Sequence, residues 1–127
     1  MARPPAKELT ERELQVMQVF WRHGEATAAE VRDRLAAAGL DLAYVTVANL
    51  IRLVAEKGFL EQLNDDRPYC YRAARSFDDV SHSLIGDLVR RLFQGSREQL
   101  LLNVLKRRRL TAGERALLRE ILDDEER

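Results

Sequence analysis

Cysteine occurs once in this 127-residue sequence, at Cys70, and histidine twice, at His23 and His82. A lone thiol cannot close an intrachain disulfide, and these three residues form none of the spacings that hold zinc, copper or iron. Neither a metal nor another cofactor is expected. Long apolar runs are missing too. Nothing approaches the roughly 18 residues of a membrane span, and the opening Met1, Ala2, Arg3, Pro4 and Pro5 lack the hydrophobic segment of a secretion signal. A cytoplasmic protein without membrane insertion is the expectation. Net charge is also absent: 21 Lys and Arg balance 21 Asp and Glu, and the balance holds separately for residues 1–75 and 76–127. Bulk attraction therefore cannot carry nucleic-acid binding, which would need a locally arranged basic face. No nucleophile with a base, paired carboxylates or phosphate loop stands at motif spacing, so no enzyme is expected. His23 reads as a helix-end residue, His82 as a solvated residue between two serines, and Cys70 as a small filler between two tyrosines.

What is present is a run of helix punctuation on a 46% hydrophobic chain, enough apolar content to fold. Five capping boxes, in which a hydroxyl and a residue three positions later satisfy each other's backbone donors, open five helices. They are Thr10 with Glu13, Thr27 with Glu30, Ser76 with Asp79, Ser96 with Gln99 and Thr111 with Glu114. The first helix spans about Glu11 to Arg22 and buries Leu14, Met17 and Trp21, with Val16 and Phe20 widening the stripe. The second runs from Ala28 to about Ala38, burying Val31 and Leu35. The third, from about Ala43 to Lys57 with Gly58 ending it, buries Val47, Leu50, Ile51 and Val54. Phe59 to Leu63 then reads as a strand, Asn64 to Arg67 as a turn and Pro68 to Ala73 as a returning strand, with Pro68 opening an edge strand. Three helices followed by a hairpin is the winged-helix order, a variant of helix-turn-helix.

On the third helix, the face away from the core carries Tyr44, Val45, Thr46, Ala48, Asn49 and Arg52. Asn pairs bidentately with adenine, Arg with guanine, and a threonine methyl or valine packs on the thymine methyl. At roughly 22 Å the helix is long enough to lie in a major groove. Arg67 at the hairpin tip and Arg72 on the returning strand are candidate phosphate or minor-groove contacts. Beyond Ser76 only helices follow, with apolar stripes through Leu84, Leu88, Leu92, Leu101, Val104, Leu105, Leu118 and Ile121. About fifty residues cannot enclose stripes this wide, which points to a homodimer. The final Asp123 to Arg127 reads as a frayed polar end, and the basic run Lys106 to Arg109 complements a helix C-terminus. The architecture expected is mainly α with a small β part (α+β): a winged helix-turn-helix domain over 1–75 and an all-helical dimerisation domain over 76–127.

The sequence resembles the penicillinase-repressor (BlaI/MecI/CopY) family from Leu9 to Leu122. The resemblance is carried by Leu9 to Met17 with Trp21, Thr27 to Val31, Ala43 to Val47 with Glu56, Lys57 and Gly58, Arg67 to Ala73, and Leu102 to Val104 before Leu110 and Thr111. It implies a homodimeric repressor that binds a dyad-symmetric double-stranded DNA operator. It further implies release by a sensor protease cutting the bond between Asn103 and Val104. Val45 and Leu53 depart from the Lys and Arg common in such members, and no cysteine-rich copper motif follows Cys70. Two rival readings are a winged-helix module whose third helix docks a protein instead of DNA, and a thiol sensor using Cys70.

Overall fold

The computed structural model describes residues 9–106 and 109–125. Met1 to Pro5, and Arg107 and Arg108 of the basic run, lie outside the described residues. The elements are α1 (Glu11–His23), β1 (Ala26–Thr27), α2 (Ala28–Ala37), α3 (Tyr44–Glu56), β2 (Leu60–Gln62), β3 (Cys70–Ala73), α4 (Phe77–Leu92), α5 (Arg97–Lys106) and α6 (Ala112–Glu125). All five helix starts marked by capping boxes are observed. Thr10 with Glu13, Thr27 with Glu30, and Thr111 with Glu114 form reciprocal boxes, and the Ser76 and Ser96 hydroxyls accept from the Asp79 and Gln99 amides.

Packing divides the chain into two compact units, one up to Gly86 and one from Asp87. In the first, α1, α2 and α3 enclose a core of Val16, Met17, Phe20, Val31, Leu35, Val47, Ile51 and Val54, closed by Phe59, Leu60 and Val80. Each such side chain contributes about 1.5–3 kcal/mol on burial. Gly58, at φ 89°, ends α3 in a conformation a side chain resists, and so turns the chain sharply into β2.

The sheet corrects the sequence reading in two ways. It has three strands in the order β1-β3-β2, so the returning strand is central, not an edge. Pro68, which lacks an amide donor, lies before β3 in the turn, and the ladder begins at Cys70, paired with Thr27 of β1. A two-residue β1 is too short to show alternation, and only its pairing with β3 makes it a strand. Helix α6 also runs on to Glu125, into the Asp123 to Arg127 stretch read as a frayed end, of which Glu126 and Arg127 lie outside the described residues. Its acidic residues lie on a helix end where the pattern alone suggested fraying.

The start of α4 is fastened to the winged helix by a small polar and aromatic cluster. Trp21 Nε1 donates to the Arg75 carbonyl at 2.9 Å and its ring meets Phe77 edge-on at 5.4 Å. The Arg75 guanidinium lies 4.8 Å from the Phe59 ring centroid, and its Nε donates to Asp79 at 2.6 Å. Val80 is buried in the same core, and Leu84 packs against it, so Leu84 belongs to the protomer's own interior rather than to an uncovered stripe. Trp21→Phe keeps one aromatic ring but removes the donor and the rest of the indole's packing, and is expected to cost at least about 1 kcal/mol, read as a fall in Tm. An unchanged Tm would show that the bond contributes nothing.

Candidate nucleic-acid interface

Helix α3 is the element on which the site is built, and two devices set its position. Its inner face is locked by Val47, Ile51 and Val54. Its C-terminal end is tied to the start of α1 by Lys57, whose Nζ donates to Glu13 Oε1 at 2.8 Å. Glu13 is only 2% exposed and also accepts the Thr10 amide. Burial pushes this carboxyl's pKa up, but the hydrogen bonds from Lys57 and Thr10 and the lysine's charge outweigh it and hold it below the ordinary carboxylate value. The capping glutamate of the first helix thus also anchors the third.

At its N-terminus, Ala43 caps α3 without a side-chain hydrogen bond, whereas the first turn of α2 is closed by Thr27 and Glu30. The opening amides of α3 are therefore left for water or an incoming phosphate. The helix is about 20 Å long at 1.5 Å per residue.

Of the residues read from sequence as DNA contacts, Tyr44, Ala48, Asn49, Arg52 and Arg67 line one open cleft of about 620 Å³ between α2, α3 and the wing. Val45 and Thr46 are exposed on the first turn of α3, outside that cleft, and Val45 is 68% exposed. Arg72 is exposed on β3 and also stands apart from it. Two of the arginines have carboxylate partners: Arg52 with Glu56 at 2.8 Å and Arg72 with Glu61 at 3.2 Å. All four side chains are more than half exposed, and such pairs are worth at most about 1 kcal/mol. A guanine edge or a phosphate can displace them at little cost.

Among the lining residues that sequence reasoning did not name as contacts, Gln62, Tyr69 and Tyr71 bring polar or aromatic groups from the wing. Burial raises the Tyr71 hydroxyl above its ordinary pKa, with Tyr69 and Tyr44 adding to the effect, so it remains a donor at neutral pH. The aromatic run around Cys70 was the available signal, but only the fold brings it opposite α3. Cys70 itself is half-buried. Among the described residues, no group of three or more His, Cys, Asp or Glu could hold a metal ion, and no helix is long and apolar enough to cross a membrane.

The second unit has a different character. Helices α5 and α6 contain no buried residue among those described, and Leu88, Leu92, Leu101, Val104, Leu105, Leu118 and Ile121 are all exposed. Asn103 and Val104 lie within α5, where Asn103 borders a shallow hollow with Phe93, Gln99, Leu102 and Lys106.

A three-helix core, an outward third helix and an adjoining wing define a winged helix-turn-helix protein. Residues 9–124 match the family described as penicillinase repressor, and the chain belongs to that family. It is 23% identical to the methicillin resistance regulatory protein MecI of Staphylococcus epidermidis over 116 residues, covering 91% of this chain and 94% of MecI. It is 32% identical to the transcriptional regulator BlaI of Mycobacterium tuberculosis over 94 residues, covering 72% of this chain and 67% of BlaI. Among solved structures, the hsRosR-SG complex shares the fold, with a TM-score of 0.55, 15% identity and 96% of each chain covered. The family is one of DNA-binding transcriptional repressors, often dimeric.

Proposed function

We propose that two copies of this chain repress transcription by placing their α3 helices in successive major grooves of a dyad-symmetric operator, about one DNA turn apart. The observation that carries this reading is the convergence of Tyr44, Asn49, Arg52 and Arg67 on one exposed cleft. Asn49 and Arg52 supply base-edge hydrogen bonds, and Arg67 and the uncapped start of α3 supply backbone contacts. With zero net charge, affinity rests on this local arrangement and on the linkage of two half-sites.

Residues 76–127 serve as the dimerisation domain in this reading. The exposed leucines, valine and isoleucine of the second unit support it, because large apolar side chains left open to water in such number favour a covering partner. A sensor protease that cuts between Asn103 and Val104 would end repression by removing the linkage. The bond lies in a helix with no buried residue within its own protomer, so little intrachain packing opposes the local opening of α5 that cleavage needs.

The test is selection of bound duplexes from a random pool, followed by titration of variants on the selected site. Asn49→Ala and Arg52→Ala are each expected to cost about 1–3 kcal/mol of binding and to relax base preference at one position per half-site. Fold and oligomeric state should be unchanged. Unaltered affinity in both variants would refute the assignment of α3 as the reader.

A further inference from the structure

We propose that Asn64 is the positioning residue that presents Arg67 to the DNA backbone; the proposal deepens the repressor reading and rests on it. Between β2 and β3 one backbone bond, from the Leu63 amide to the Cys70 carbonyl at 2.8 Å, closes the base of the wing tip, and beyond it the cross-tip hydrogen bonds come from Asn64. Its Nδ2 donates to the carbonyls of Asp66 at 2.9 Å and Pro68 at 3.1 Å, and its Oδ1 accepts from the Cys70 amide at 2.8 Å. Its own carbonyl accepts from Gln62 Nε2 at 2.7 Å. The two carbonyls belong to the residues on either side of Arg67, so a single amide side chain fixes the backbone before and after the arginine.

The Arg67 guanidinium then lies 5.7 Å from the Tyr69 ring centroid, and both residues line the cleft shared with Asn49 and Arg52. Arginine carries a large rotamer entropy, and binding costs less when loop and side chain are already ordered. The neighbours make this ordering matter. Asp65 and Asp66 are exposed in the same tip, so a loosened loop would offer phosphate either sign of charge. Asn64 thus selects the conformer in which the cation is presented on the cleft.

The experiment measures equilibrium binding of the full chain to a duplex selected from a random pool, at several salt concentrations, for wild type, Asn64→Ala, Arg67→Ala and the double variant. Each single substitution is expected to weaken binding roughly tenfold and to lower the slope of log affinity against log salt by about one per half-site. The double variant should bind no more weakly than Arg67→Ala alone, because Asn64 acts through the arginine. Asn64→Ser stays neutral but is too short to bridge both carbonyls and the Cys70 amide. It is expected to behave as Asn64→Ala does, and serves in its place if the alanine variant fails to fold. Additive losses, or an unchanged salt slope in Arg67→Ala, would overturn the assignment of Asn64 alone. A wild-type chain that selects no duplex would overturn the repressor reading and this assignment with it.

Discussion

Placing acidic residues at Leu101 and Val104 is expected to yield a folded monomer whose operator affinity is about 100- to 10,000-fold below wild type. Both side chains are more than half exposed in α5, and neither is a member of the first unit's core, so that unit should keep its structure. The loss arises from linkage. When two reader helices are joined, binding of the first makes binding of the second intramolecular, and removing the junction removes that gain without altering any base contact. Sedimentation would report the mass, circular dichroism the fold, and titration of a full operator against a half-site the affinity. Wild-type and variant should bind the half-site equally. A monomeric variant that binds the full operator as tightly as wild type would contradict the dimer model.

Lys57→Met is expected to lower stability by about 2–3 kcal/mol near neutral pH. Breaking a buried pair by removing one partner costs about 3–5 kcal/mol because the remaining charge is stranded, and the partial exposure of Lys57 reduces that figure. The pH dependence distinguishes this cause from lost packing. Glu13 has a folded pKa held below its ordinary value of 4.5, so its contribution is present above about that pH and is lost as pH falls through the folded value. In the variant the carboxyl loses its cation and its pKa rises. The stability gap should therefore be widest above about pH 5 and should shrink on acidification, as protonation removes the stranded charge. Denaturant titrations of both chains across this range provide the measurement. A gap that stays constant with pH would assign the loss to packing alone. Because the pair ties α3 to α1, the variant should also bind operator less well at temperatures where both proteins remain folded.

Local signals in the sequence were strong where the physics is local. Capping chemistry depends on residues three apart, and the helix starts it marked are those observed. The apolar faces of α1, α2 and α3 were equally legible, because a 3.6-residue period is a property of adjacent turns. Leu84 shows where that reasoning stops. Its spacing places it on the same stripe as Leu88 and Leu92, yet it packs against the first core while Leu92 is 66% exposed. Periodicity identifies a face and is silent about what covers it. Strand β1 likewise has no pattern of its own, since Ala26 and Thr27 become a strand only through pairing with Tyr71 and Cys70.

The candidate interface divides in the same way. Asn49 and Arg52 stood out as polar residues opposite a buried stripe, and Arg67 as a cation in a turn. Their convergence on one cleft with Gln62, Tyr69 and Tyr71 could not be read, because it depends on how the wing folds back beside α3. Asn64 had the appearance of an ordinary turn residue, and its four hydrogen bonds exist only once Gln62, Asp66, Pro68 and Cys70 are brought around it. The sequence by itself determined the helices, their caps, the faces they bury and the family to which those features belong. The tertiary structure alone decided that β3 is the central strand, that Glu13 and Lys57 bind α1 to α3, and that Asn64 braces the wing. Caps and stripes are set by neighbours along the chain, whereas each of these joins groups whose partners are chosen by long-range packing.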